Sequence, residues 1–147
     1  MSDWLFAGYN PVVKRLYWTN PDLYEMEVEV KSVGDRKVTI DPILFHPDEG
    51  GQPPDKGRIG ECDVLNVEII EGRIVHTLDK SLSDGKYIAR VDSRHRLSIA
   101  RRHTAQHIIS GIAERRFGLR TVGVHIGLES CTVDLDKKID FETAHAI

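Results

Sequence analysis

The chain is poor in cysteine and has no long apolar run. Only Cys62 and Cys131 occur among 147 residues. That is too few for the disulfide framework of a small secreted domain, so both read as reduced thiols. No apolar stretch approaches the roughly 20 residues that a membrane-spanning helix needs, so no membrane partner is expected. The start, Met1-Ser2-Asp3-Trp4-Leu5-Phe6, has no basic stretch leading into an apolar core and does not read as a signal peptide. Together these absences predict a cytoplasmic protein. Internal repeats and low-complexity segments are missing as well. The remaining composition, 40% apolar and 29% charged, is that of an ordinary globular chain. Its length suits one domain or two small ones.

Net charge is small, but charge is unevenly spread. Between Arg90 and Arg120 stand eight arginines against Asp92 and Glu114, which makes that segment +6 and leaves −9 for the rest of a chain of net charge −3. A basic segment on an acidic protein fits a phosphate backbone. An arginine-rich, solvated helix face would give the same count.

The same segment has helical periodicity. Ala105, Ile108, Ile109, Ile112, Ala113 and Phe117 recur at three- and four-residue steps and predict an amphipathic helix with that set as its buried face. Asp92 or Ser93 caps its start and Gly118 stops it. His103 and His107 are four apart, hence one above the other on the helix. Two imidazoles so placed can ligate one metal ion from a single rigid turn, or simply make surface hydrogen bonds.

Before the helix the pattern is that of strands. Met26, Val28 and Val30 alternate with Glu25, Glu27, Glu29 and Lys31, the signature of a half-buried strand. Val38 and Ile40 continue after a Gly34-Asp35 turn, and Ile43-Leu44-Phe45 reads as a short buried strand. Residues 46–57 hold three glycines and three prolines and predict a loop. Strands follow over Val64–Ile69, Ile74–Leu78 and Tyr87–Val91, with turns at Glu71-Gly72 and Asp84-Gly85. Six short strands before Asp92 suggest a small barrel or sandwich. The aromatics of residues 1–24 (Trp4, Phe6, Tyr9, Tyr17, Trp18, Tyr24) are expected in irregular chain covering one end of the sheet. Beyond the helix, Val122–Ile126 and Cys131–Leu135 read as two strands, and Asp140 as the cap of a last, short helix.

With these motifs laid out, the sequence resembles the alanyl-tRNA editing family, the editing domain of alanyl-tRNA synthetase and its free-standing AlaX relatives. Four stretches carry the likeness: Phe45-His46-Pro47-Asp48-Glu49-Gly50-Gly51-Gln52-Pro53 with Asp55-Lys56-Gly57, then Arg102-His103-Thr104-Ala105-Gln106-His107, Val124-His125-Ile126-Gly127, and Glu129 to Asp136. The resemblance implies an α+β fold, with an N-terminal β-barrel over residues 1–92 and the first part of a zinc-type editing domain over 93–147. It implies hydrolysis of the ester joining serine or glycine to alanine tRNA. A pocket shaped for alanine cannot strongly reject either, so a second, hydrolytic sieve is needed.

The resemblance also implies roles. His103 and His107 become ligands of Zn2+, His125 and Gln52 act on the substrate at the reacting end, and Gly50, Gly51 and Thr104 contact it. Arg101 and Arg102 are expected on tRNA phosphates. One departure stands out. The family completes its zinc site with a Cys-x-x-x-His motif, and here Leu135 follows Cys131 by four and Asn66 follows Cys62 by four. The chain therefore resembles a member cut short or one that lost its second half, with two family-type ligands unless His125, Cys131 or a partner chain helps. A tRNA-binding module without catalysis is the first rival reading. A zinc hydrolase with another substrate is the second.

Overall fold

Along the first strand Val28 and Val30 are buried while Glu25, Glu27 and Glu29 face solvent, the two-sided pattern of a sheet wrapped round a core. The computed structural model describes residues 14–127 and 129–147. A short helix, α1 (Leu16–Thr19), precedes β1 (Glu25–Gly34), β2 (Lys37–Asp41), β3 (Gly57–Ile59), β4 (Cys62–Ile70), β5 (Arg73–Leu78) and β6 (Gly85–Val91). These six close into an antiparallel barrel in the order β1-β2-β5-β4-β3-β6. The long helix α2 (Ser93–Phe117) follows, then the antiparallel pair β7 (Thr121–Ile126) and β8 (Cys131–Leu135), then α3 (Phe141–Ala146). The architecture is α+β, as the sequence pattern predicts. Among the described residues no helix is long and apolar enough to cross a membrane.

Six barrel strands are expected and six are found, but one expected member is replaced. Ile43-Leu44-Phe45 is not a strand. It is a buried plug, with Leu44 and Phe45 at 0% exposure, bridged in parallel to Arg15 through Ile43. Burial of three apolar residues does not by itself distinguish a strand from a plug. The missing strand is β3, which starts on the last residue of the expected loop. Gly57 has φ +155°, and a side chain there would meet the Arg90 carbonyl oxygen at 2.0 Å. Only glycine lets β3 lie this close to β6.

Trp4, Phe6 and Tyr9 lie outside the described residues. Tyr17 sits on α1, not in irregular chain, and is buried with the barrel core, against which Tyr24 packs; Trp18 is 63% exposed. Cys62 is buried, whereas Cys131, which suits a strand core by its chemistry, is exposed. Inside the barrel His76 is fully buried, edge-on to Phe45 at 5.3 Å, and among the described residues neither of its ring nitrogens has a hydrogen-bond partner. Burial drives its pKa down to about 4, so the ring is neutral.

Asp92 caps α2 by accepting the N–H groups of Arg94 and His95, and Gly118 ends it in the left-handed conformation. Most of the expected buried face is not buried. Ile108 is 58% exposed, Ile109 42% and Phe117 36%, and Ala105 is exposed too. Of that set only Ala113 is fully buried, and the helix buries Arg96, Ile99 and Gln106 beside it. Its rotation is set by polar anchors, described next, and two short strands cover only one side of it.

Candidate active site

The anchor that orients α2 is a buried ion pair. Arg96 Nη2 donates to Asp55 Oδ2 at 2.6 Å and to the Leu44 carbonyl at 2.8 Å, while Nη1 donates to the carbonyls of Pro21 and Leu23. Asp55 also accepts the His46 N–H at 2.7 Å. From the residue just before, His95 Nε2 meets the Pro54 carbonyl at 3.0 Å. Every polar atom of the pair is thus satisfied, which a buried charge requires. The result fastens the Pro53-Pro54-Asp55 end of the loop to the first turns of α2.

From there the loop reaches the histidines. Glu49 and Gln52 bridge across Gly50 and Gly51, whose φ angles are +65° and +77°. Two successive positive φ values make the tight turn that Gly-Gly adopts without strain. The Gly51 carbonyl accepts the Ile126 N–H at 3.4 Å, so the turn rests on β7. Gln52 Oε1 lies 2.7 Å from His103 Nδ1 and accepts that N–H, which leaves Nε2 of His103 with a free lone pair. His103 and His107 stack, ring centroids 4.7 Å apart and 24° from parallel. Burial, and after it the neighbouring His107 and His46, push the His103 imidazole below its ordinary pKa. The ring is held neutral, in the state that binds a metal or accepts a proton.

Gly50, Gly51, Gln52, His103 and His107 are therefore brought together. His125 is on the strand the turn rests on, is exposed, and has no hydrogen bond among the described residues. The alternation expected around it is broken: Ile126 is buried but Val122 is 67% exposed, because a bulge falls between Thr121 and Gly123. Thr104 spends its hydroxyl on the Ala100 carbonyl at 3.0 Å, away from the loop. Arg101 and Arg102 lie round the helix from His103. The basic segment is also smaller than its count, since Arg90 pairs with Glu25, Arg96 with Asp55 and Arg120 with Asp136.

In the sequence Asp55 stands out only as part of the glycine-loop motif and Arg96 only as one of eight arginines, and neither pattern assigns a role. A signal was there, because Arg96 precedes His103 by seven residues, two turns on the same face. As for a metal, no three His, Cys, Asp or Glu side chains converge on one point among the described residues. Zinc takes three or four protein ligands, so His103 and His107 alone do not complete a zinc site.

No protein-family model matches the chain. Curated proteins do. An alanyl-tRNA editing protein AlaX-M from Methanosarcina barkeri is 31% identical over 141 residues, 87% of this chain and 58% of the relative. The alanyl-tRNA editing protein Aarsd1 of Rattus norvegicus is 34% identical over 101 residues, 68% of this chain and 24% of the relative. The chain belongs to the alanyl-tRNA editing family. An alanine–tRNA ligase from Methanosarcina acetivorans is 36% identical over 118 residues, 74% of the chain but 13% of the ligase. The glycine loop and the histidine helix, far apart in the sequence, are joined here by the Gln52–His103 bond.

Proposed function

We propose that this chain takes part in editing, by hydrolysing the ester between a wrong amino acid, serine or glycine, and alanine tRNA. The observation that carries the reading is the 2.7 Å bond between Gln52 and His103. It ties the glycine turn, whose N–H groups can approach a ribose or phosphate closely, to the histidine pair. Relatives named for alanyl-tRNA editing support an editing role on alanine tRNA. In this reading Gln52 fixes the tautomer and position of His103, the glycines seat the acceptor end, and His125 orients the amino acid from β7. Zn2+ is proposed as the ion at His103 and His107, with further donors required from outside the described residues.

One observation favours a second reading. The two imidazoles lack a third ligating side chain among the described residues, which suits a tRNA-binding module without catalysis. Deacylation separates the two. The chain should release serine from serine-charged alanine tRNA much faster than alanine from the correctly charged form. Tight tRNA binding with no release of either amino acid would establish the binding module instead.

A further inference from the structure

The outward side of α2 carries a second feature. Arg94, Leu97, Ser98, Arg101 and Arg102 line an open cleft of about 410 Å³. At about 100° per residue, Arg94, Ser98 and Arg101 lie roughly 140–180° round the helix from His103. The cleft therefore faces away from the histidine pair. Arg102 Nη1 donates to Ser98 Oγ at 3.0 Å, which holds that guanidinium along the cleft and leaves the serine hydroxyl proton free.

The arginines here differ from the others of the basic segment in their partners. Arg90, Arg96 and Arg120 have carboxylate partners; among the described residues Arg94, Arg101 and Arg102 have none. Arg115 and Arg116 sit in the last turn of α2, where the helix dipole favours cations. Arg94 sits in the first turn, which holds no acidic residue and where the dipole opposes a cation. Three guanidinium groups within roughly 12 Å of helix repel one another unless an anion lies between them.

We propose that this cleft binds phosphates of an RNA backbone, with Arg94, Arg101 and Arg102 pairing the oxygens and Ser98 donating a hydroxyl. The proposal rests on the reading that the chain acts on tRNA. Forked guanidinium groups suit phosphate oxygens. Because a helix with its side chains is about 10–12 Å across, the phosphates held here are remote from the ester at the histidines. The cleft thus fixes the backbone and carries no information about the amino acid.

The test uses the whole chain and uncharged alanine tRNA, with affinity followed against salt. Arg94→Gln with Arg101→Gln should weaken binding about 10-fold and flatten the slope of log K against log salt by roughly 1.4–1.8, the loss of two phosphate contacts. Arg115→Gln with Arg116→Gln removes the same charge outside the cleft and should change affinity less than 2-fold. An unchanged slope in the cleft variant, equal losses in both variants, or no tRNA binding by the unaltered chain would overturn the proposal. Polyglutamate bound more tightly than tRNA, and lost in the cleft variant, would assign the site to an acidic peptide. A chain that binds tRNA through the cleft but releases no amino acid keeps this site and removes the deacylase reading. A cleft variant that deacylates with unchanged KM does the reverse.

Discussion

The barrel and the part of the chain after Asp92 bury their side chains in opposite ways. Val28, Val30, Phe45, Ile59, Val67 and Leu78 are nearly or fully buried inside the barrel. Beyond it α3 buries nothing, and Ile108, Ile109, Phe117, Val122, Ile139 and Phe141 stand 36–83% exposed. The barrel is held by apolar packing on all sides. Within the second part α2 is covered on one side by β7 and β8, and the Arg96–Asp55 pair ties it to the barrel loop. The candidate active site lies where the two meet, on a loop from the first and a helix from the second. Its geometry therefore depends on polar anchors more than on a shared core.

That contrast can be broken by substitution. Arg96→Ala should have the largest effect, roughly 3–5 kcal/mol, because it leaves Asp55 charged and buried without its partner. Urea unfolding followed by both near-UV and far-UV circular dichroism should show the second part loosening before the barrel. A single coincident transition at unchanged stability would show that the pair is not the anchor. Phe45→Ala should cost a comparable 3–5 kcal/mol through the cavity left in the barrel. Here the loss should appear in the barrel transition.

His76 sharpens the contrast with pH. Its folded pKa, about 4, is below the ordinary value of about 6.5. The unfolded chain then binds the proton more readily, so stability is full above pH 6.5 and falls as pH drops towards 4. The loss should reach about 3 kcal/mol near pH 4, at 1.36 kcal/mol per pKa unit. His76→Met should remove most of that dependence; an equally steep acid limb in the variant would place its origin elsewhere. The smallest effects belong to the exposed side chains of the second part. Ile108→Ala and Phe141→Ala should each shift the urea midpoint by an amount corresponding to less than about 0.5 kcal/mol. A larger loss would mean that these faces are covered in solution.

What was legible in the sequence follows the same division. Strict alternation placed β1, and β8 was found at Cys131–Leu135 as expected. Local chemistry placed the caps Asp92, Gly118 and Asp140. These signals act over two to four residues. β3 was hidden because three residues led by a glycine carry no period. The rotation of α2 was misjudged because its apolar stripe competes with one buried arginine, and the arginine wins through a carboxylate 41 residues away. The spacing of His103 and His107 gave the pair, while the bond from Gln52 spans 51 residues and only the closed barrel brings it about.

The central claim is that the histidine pair and the glycine turn form one hydrolytic site. Single-turnover deacylation of serine-charged alanine tRNA by the His103→Ala chain, with tRNA affinity measured alongside, tests it most directly. Deacylation should be lost while affinity stays within about 1 kcal/mol of the unaltered chain, because the imidazole serves the ester and not the phosphates. Gln52→Ala should fall between the two, since a neutral hydrogen bond contributes about 0.5–1.5 kcal/mol net. Deacylation at the unaltered rate by His103→Ala would contradict the claim and make the helix a structural element.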